Sequence, residues 1–124
     1  MSARRVVLVV DDESITRDVV QAMLELEHVA VHTAADAAAA LALAEEVRPD
    51  LVLLDVMMPG MDGIEVCRLL AARPDAPRVV MLTARADDTA RRAAAEAGAV
   101  GYLVKPFSAV DLFAVVDEEP VRGA

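Results

Sequence analysis

The chain has 124 residues, which fits one domain, and 56% hydrophobic against 27% charged residues is globular and excludes a disordered tail. Acids outnumber bases 21 to 12, for a net charge of −9, a field that repels nucleic acid and anionic lipid, so direct binding to either is not expected. The single cysteine, Cys67, cannot form an internal disulfide, the amino terminus is not a signal peptide, and no apolar run could span a bilayer. A cytoplasmic location is therefore expected.

Five apolar runs recur along the chain, at residues 6–10, 29–34, 51–54, 79–82 and 100–104. They are rich in β-branched residues and mostly do not alternate with polar ones, the pattern of strands buried on both faces of a parallel sheet. Between them the spacing turns helical. Residues 14–27 place Ile15, Val19, Met23 and Leu26 on one face, with Ser14 or a preceding acid as cap. Residues 36–47 form an alanine-rich helix with Leu41, Leu43 and Val47, and residues 62–72 carry Ile64, Val66, Leu69 and Leu70 before Pro74. Asp87 or Asp88 caps a fourth helix that Gly98 stops, and Ser108 caps a fifth that ends before Pro120 and includes Phe113 as a core residue. Strand followed by helix, five times, predicts a three-layer α-β-α domain, doubly wound around a five-stranded parallel sheet.

Ligands of such a sheet collect at the carboxyl ends of its strands. Asp11, Asp12 and Glu13 follow the first strand, Asp55 the third, Thr83 and Ala84 the fourth, and Lys105 and Pro106 the fifth. Three carboxylates (Asp11, Asp12, Asp55), one hydroxyl and one ammonium thus meet at one edge. Such acids repel one another unless a cation intervenes, and oxygen ligands alone suit Mg²⁺, with Mn²⁺ as an alternative. His28 and His32 have no third partner, which argues against zinc. A carboxylate beside a divalent ion and an ammonium can attack a phosphoryl group, with Thr83 and Lys105 binding its oxygens. Lys105 is the sole lysine among 12 basic residues, so a compact point charge is wanted there.

Together, Asp11-Asp12, Leu53-Leu54-Asp55-Val56-Met57-Met58-Pro59-Gly60-Met61-Asp62-Gly63, Leu82-Thr83-Ala84 and Lys105-Pro106-Phe107 resemble the receiver domain of bacterial two-component response regulators. The resemblance runs over residues 5–117 in the family's order and spacing. It implies a CheY-like (flavodoxin-like) (βα)5 fold with strand order 2-1-3-4-5, a receiver domain over residues 1–118 and a flexible tail over residues 119–124. Asp55 is then the phosphoacceptor, served by a sensor histidine kinase or a phosphotransfer protein. Asp12 and Asp55 would ligate Mg²⁺ directly, Met57 through its backbone carbonyl and Asp11 through water. The resemblance further implies that Thr83 and Tyr102 form the switch pair, that Lys105 contacts the phosphoryl group, and that the Lys105–Pro106 peptide bond is cis. Output would pass through the face made by the fourth helix, fifth strand and fifth helix, to a partner, an effector or a second copy.

The chain departs from the family pattern at two backbone turns. No glycine stops the first helix at Glu27-His28-Val29, and Ala37 replaces a common glycine after Asp36. Met57 and Arg85 are a bulky and a long side chain at positions that influence phosphoryl lifetime, so slow self-dephosphorylation is expected. Two other functions fit parts of the pattern. A phosphohydrolase of the haloacid-dehalogenase type needs an acid two residues after its nucleophile, where this chain has Met57. A flavodoxin-like cofactor module needs neutral donors after the first strand, where Asp11, Asp12 and Glu13 would repel a flavin phosphate. The expected protein is a switch that assists its own phosphorylation and dephosphorylation, not an enzyme in the ordinary sense.

Overall fold

The computed structural model describes residues 5–58, 62–84 and 87–117. Pro59, Gly60, Met61, Arg85, Pro120 and the expected tail at residues 119–124 lie outside the described residues. The elements run β1 (Val6–Val10), α1 (Ser14–Glu25), β2 (Ala30–Ala34), α2 (Ala37–Val47), β3 (Leu51–Asp55), α3 (Gly63–Ala71), β4 (Arg78–Thr83), α4 (Asp88–Glu96), β5 (Gly101–Val104) and α5 (Ala109–Asp117). All strand pairs are parallel, in the order β2-β1-β3-β4-β5.

Each strand contributes to two apolar layers, because successive side chains point to opposite faces. Leu8, Val10, Val52, Leu54, Val79 and Met81 pack under α2, α3 and α4, whereas Val7, Val9, Leu51, Leu53, Val80 and Leu82 pack under α1 and α5. On the first face the buried residues of α2 and α4 are all alanines, among them Ala40, Ala44 and Ala94, with Leu41 and Leu43 packed against them at the edge. On the second, Val20 and Leu24 of α1 and Leu112 and Val116 of α5 do the filling.

Asp36, Asp62 and Asp87 cap their helices, accepting from the backbone N–H of Ala39, Ile64 and Ala90. Ser108 and Asp111 cap α5 reciprocally, the Ser108 Oγ accepting from the Asp111 N–H. At α1 the cap position is Glu13, the preceding acid expected there, but its side chain accepts no capping hydrogen bond. The Glu13 N–H instead donates to Asp11 Oδ1, tying the helix start to the site.

The apolar face assigned to α1 is corrected as well. Val20 and Leu24 are its buried residues, with Met23 beside them, while Ile15 is 76% exposed and Val19 and Leu26 also face solvent. The stripe that meets the sheet lies one helical step away from the one the spacing suggested. Phe113 is likewise only half-buried and joins neither core layer, because Leu112 and Val116, four apart, turn the helix's other face inward. Cys67 is fully buried, as expected.

The glycine missing after α1 is replaced by strain, and a second strained residue closes α2. His28 takes φ 57° and Arg48, closing α2, takes φ 48°, left-handed conformations that cost a non-glycine residue free energy. Gly98, at φ 108°, stops α4 as its sequence position suggests. Ala37, by contrast, enters α2 as an ordinary buried helical residue.

Candidate functional site

Strand register builds the site. Val10 is partnered by Leu54, so the next residues, Asp11 and Asp55, leave adjacent strands side by side. Asp55 pairs in turn with Leu82, and Thr83 with Val104, which brings Thr83 and Lys105 to the same edge. With parallel strands about 4.8 Å apart, four chemically active side chains fall within a few strand widths.

Asp11 is completely buried, and each of its polar groups is engaged. Its N–H donates to the Ala34 carbonyl (3.1 Å), and its own carbonyl accepts from Arg17 Nη1 (2.8 Å). Its carboxylate accepts from the Glu13 N–H (2.9 Å) and from Lys105 Nζ (2.8 Å). The same ammonium lies 3.8 Å from Asp55 Oδ2 and 3.8 Å from Glu13 Oε1. Asp55 Oδ1 accepts from the Met57 N–H (3.1 Å), which fixes the start of the loop after β3. Lys105 joins Pro106 through a cis peptide bond, and its N–H donates to the Thr83 carbonyl (2.7 Å).

Charge is out of balance here. Burial, above all, pushes the Asp55 carboxyl up to about 6; the Asp11 charge and Asp12 add to this, while the Met57 N–H and Lys105 pull the other way. Burial also disfavours the Lys105 charge, but the hydrogen bond to Asp11 and the fields of Asp55, Asp11 and Glu13 outweigh it, so its pKa stands above the ordinary lysine value. Carboxylate oxygens of Asp11, Asp12 and Asp55 lie within 4.8 Å of one another, the first buried, the second exposed, the third buried. Three acids around one ammonium leave the cluster short of positive charge, and a hard divalent cation with oxygen preference fits this donor set. Lys105 already occupies one Asp11 oxygen, which suits a role for Asp11 at one remove from the metal.

Gly63 holds the loop's far end. A Cβ there would run into the Asp55 carbonyl and stand 2.9 Å from the Val56 carbonyl oxygen, backbone atoms that cannot yield. The Gly63 N–H donates to that Val56 carbonyl (3.0 Å), so α3 begins directly against the strand that carries Asp55. Its place in the motif was visible in the sequence; the close approach was not. Met57, at the position of interest for hydrolysis, is 69% exposed at the site, and Met58 is buried. Arg85, its expected counterpart, lies outside the described residues.

The expected switch pair, Thr83 and Tyr102, is housed differently. Thr83 is buried at the end of β4. Tyr102 packs against the layer under α2, α3 and α4, and its hydroxyl is out of solvent with no hydrogen-bond partner among the described residues. The Arg91 guanidinium lies over its ring, 4.6 Å from the centroid. Two residues missed as contributors therefore belong to the site: Arg17, which reaches the Asp11 carbonyl, and Arg91, which in the sequence looks like part of a solvated helix face.

The response regulator receiver domain family matches residues 7–117. The chain is 41% identical over 126 residues to the DNA-binding response regulator MtrA of Mycobacterium tuberculosis, a match covering 96% of this chain and 55% of that protein. It is 45% identical over 102 residues to the transcriptional regulatory protein ResD of Bacillus subtilis, covering 82% of this chain and 42% of that one. The chain thus spans about half the length of the curated relatives it matches. Among solved structures, the chemotaxis protein CheY4 of Vibrio cholerae superimposes with a TM-score of 0.88 at 34% identity, covering 92% of this chain and 97% of that one. No helix of the described residues is long and apolar enough to cross a membrane.

Proposed function

Since the chain belongs to the response regulator receiver domain family, we propose that it is a phosphorylation-operated switch in which Asp55 accepts a phosphoryl group from the phosphohistidine of a sensor histidine kinase or phosphotransfer protein. One observation carries the reading: Asp55 ends a buried strand beside Asp11, Asp12 and Lys105, in a cluster short of positive charge. Mg²⁺, or Mn²⁺ in its place, would be held by the Asp12 and Asp55 carboxylates and the Met57 carbonyl, with Asp11 acting through water. When bound, the ion neutralises charge on the transferring oxygens.

The chain's own residues supply the remainder. An Asp55 carboxylate oxygen bonds to phosphorus as the donor's P–N bond breaks, and the electron pair stays on the leaving imidazole, which takes a proton from solvent. The Lys105 ammonium, already aimed at Asp55, pairs with a phosphoryl oxygen, and the Thr83 hydroxyl binds another. Drawing Thr83 toward the site opens the space beside α4 that an inward Tyr102 fills, which reshapes the α4-β5-α5 face. That face would control a partner, an effector or a homodimer. The net charge of −9 supports output through protein contacts and not through nucleic acid bound by this domain, and a cytoplasmic setting fits the kinase partner.

A phosphohydrolase reading lacks its acid, because the exposed Met57 thioether has no proton to give a leaving group. The protein is a switch that assists its own phosphorylation and dephosphorylation. Met57 at the mouth of the site should hinder the hydrolytic water, so the phosphoryl group should outlast seconds. Intact mass spectrometry with acetyl phosphate and Mg²⁺, coupled to size exclusion, tests the reading. Wild type should gain one phosphoryl group and Asp55→Asn none; equal gain in both would overturn it.

A further inference from the structure

Tyr102 poses a question that the phosphoacceptor site does not answer. A phenol withdrawn from water without a partner is costly, yet among the described residues the Tyr102 hydroxyl is held that way. The ring must be retained by something other than its own hydroxyl. Its packing against the α2, α3 and α4 layer supplies part of this. The rest comes from Arg91, whose guanidinium lies 4.6 Å from the ring centroid and is attracted by the negative face of the π system. At the amino end of α4, a cavity of about 400 Å³ is lined by Thr83 and Met57 on one side and by Thr89, Ala90 and Ala93 on the other, so the helix carrying Arg91 is not packed tightly against the site.

We propose that Arg91 is a positioning residue that keeps the Tyr102 hydroxyl buried whether or not Asp55 carries a phosphoryl group, so that in this chain an arginine on α4 sets the aromatic switch. The inference rests on the proposed function for its link to Asp55; the arginine's hold on the ring stands apart from it. An orphaned hydroxyl favours the outward packing, where water would satisfy it, and the stacked cation favours the inward one. Losing an exposed cation–π contact should shift that balance about two- to fivefold. If the inward packing is the one competent for the phosphoryl group, a phosphoryl mimic should bind the variant more weakly by about the same factor.

Tyr102 is the only tyrosine and the chain has no tryptophan, so tyrosine fluorescence reports this one side chain. Acrylamide quenching would be measured on the full chain for wild type, Arg91→Met and Arg91→Lys, with and without beryllium trifluoride and Mg²⁺. Wild type should be shielded and little changed by the mimic. Arg91→Met should be more readily quenched alone and become shielded when the mimic is added, while Arg91→Lys should restore much of the protection. Arg91 is exposed, so the melting midpoint of Arg91→Met should stay close to wild type, separating release of the ring from loss of the fold. Equal quenching of wild type and Arg91→Met without the mimic would overturn the proposal, as would a mimic-induced change as large in wild type as in the variant. If the mimic binds neither protein, the phosphoacceptor reading fails, and the comparison without mimic still decides the role of Arg91.

Discussion

The two halves of the strand-end site are built on opposite principles. Around Asp11, Lys105 and Asp55 the polar groups have close partners: the ammonium is 2.8 Å from one carboxylate and 3.8 Å from another, and the backbone N–H groups of Glu13 and Met57 hold the acids in place. Around Tyr102 the opposite holds, with a buried hydroxyl that lacks a partner among the described residues and a ring kept in place by packing and one exposed arginine. The half that would make and hold the covalent bond is preorganised, so chemistry there requires little rearrangement. The half that would report the event is held by packing and one weak stacking contact, so a small interaction energy can move it. Substitutions that remove a partner should therefore cost stability in the first half, where only the uncompensated charge of Asp55 is a burden, and be neutral or favourable in the second.

The largest effect is expected where the rigid half meets the backbone. Gly63→Ala puts a methyl group against the carbonyls of Asp55 and Val56 and should cost about 3–4 kcal/mol in chemical denaturation. A loss below about 1 kcal/mol would mean that the close approach of Gly63 to the Asp55 and Val56 carbonyls is not held rigidly. Lys105→Met leaves the fully buried Asp11 carboxylate without its ammonium and should cost about 2–3 kcal/mol at pH 7, less than a fully buried pair because Lys105 is 22% exposed. Mg²⁺ should recover part of that loss, and recovery no greater than in wild type would separate metal from lysine.

Asp55 gives the rigid half a pH signature. Its folded carboxyl keeps a proton up to about 6, against 3.8 for an ordinary aspartate, so its stabilising contribution is complete below 3.8 and is lost as pH rises through 6. At pH 7 without metal the charged Asp55 is a burden, and Asp55→Asn should stabilise the protein by about 1–3 kcal/mol. The melting-temperature gain from Mg²⁺ should accordingly be larger at pH 7 than at pH 5 in wild type and much smaller in Asp55→Asn. Equal gains at both pH values would contradict the assignment. The smallest effect falls in the poised half: Tyr102→Phe removes only the orphaned hydroxyl and should gain about 1 kcal/mol, whereas a loss would show that the hydroxyl is satisfied in solution.

Sequence alone carried the rigid half almost entirely. The apolar runs are short and unbroken, and a polar residue at the end of each is carried to one sheet edge by parallel pairing, so Asp11, Asp55, Thr83 and Lys105 could be placed without coordinates. The α1 face could not be placed. Ile15 and Val19 compete with Val20 and Leu24 as candidate stripes, and only the sheet's position decides between them; Ile15 and Val19 instead border a groove with Pro106 and Phe107. His28 and Arg48 were invisible as left-handed residues because nothing in their chemistry requires that backbone, and glycine was the residue to look for. Arg91 over Tyr102 was missed for a similar reason. A cation and a ring on separate elements, eleven residues apart, meet only after α4 has docked beside β5.

The central claim is that this gathered set of acids makes Asp55, and no other carboxylate, the bearer of the phosphoryl group. Phosphorylating the chain with acetyl phosphate and Mg²⁺, reducing the acyl phosphate with borohydride and mapping the peptides tests it most directly. Conversion of residue 55 to homoserine, abolished by chelating the metal, is the expected result. Reduction at Asp11 or Asp12, or the same yield without a divalent ion, would contradict the account.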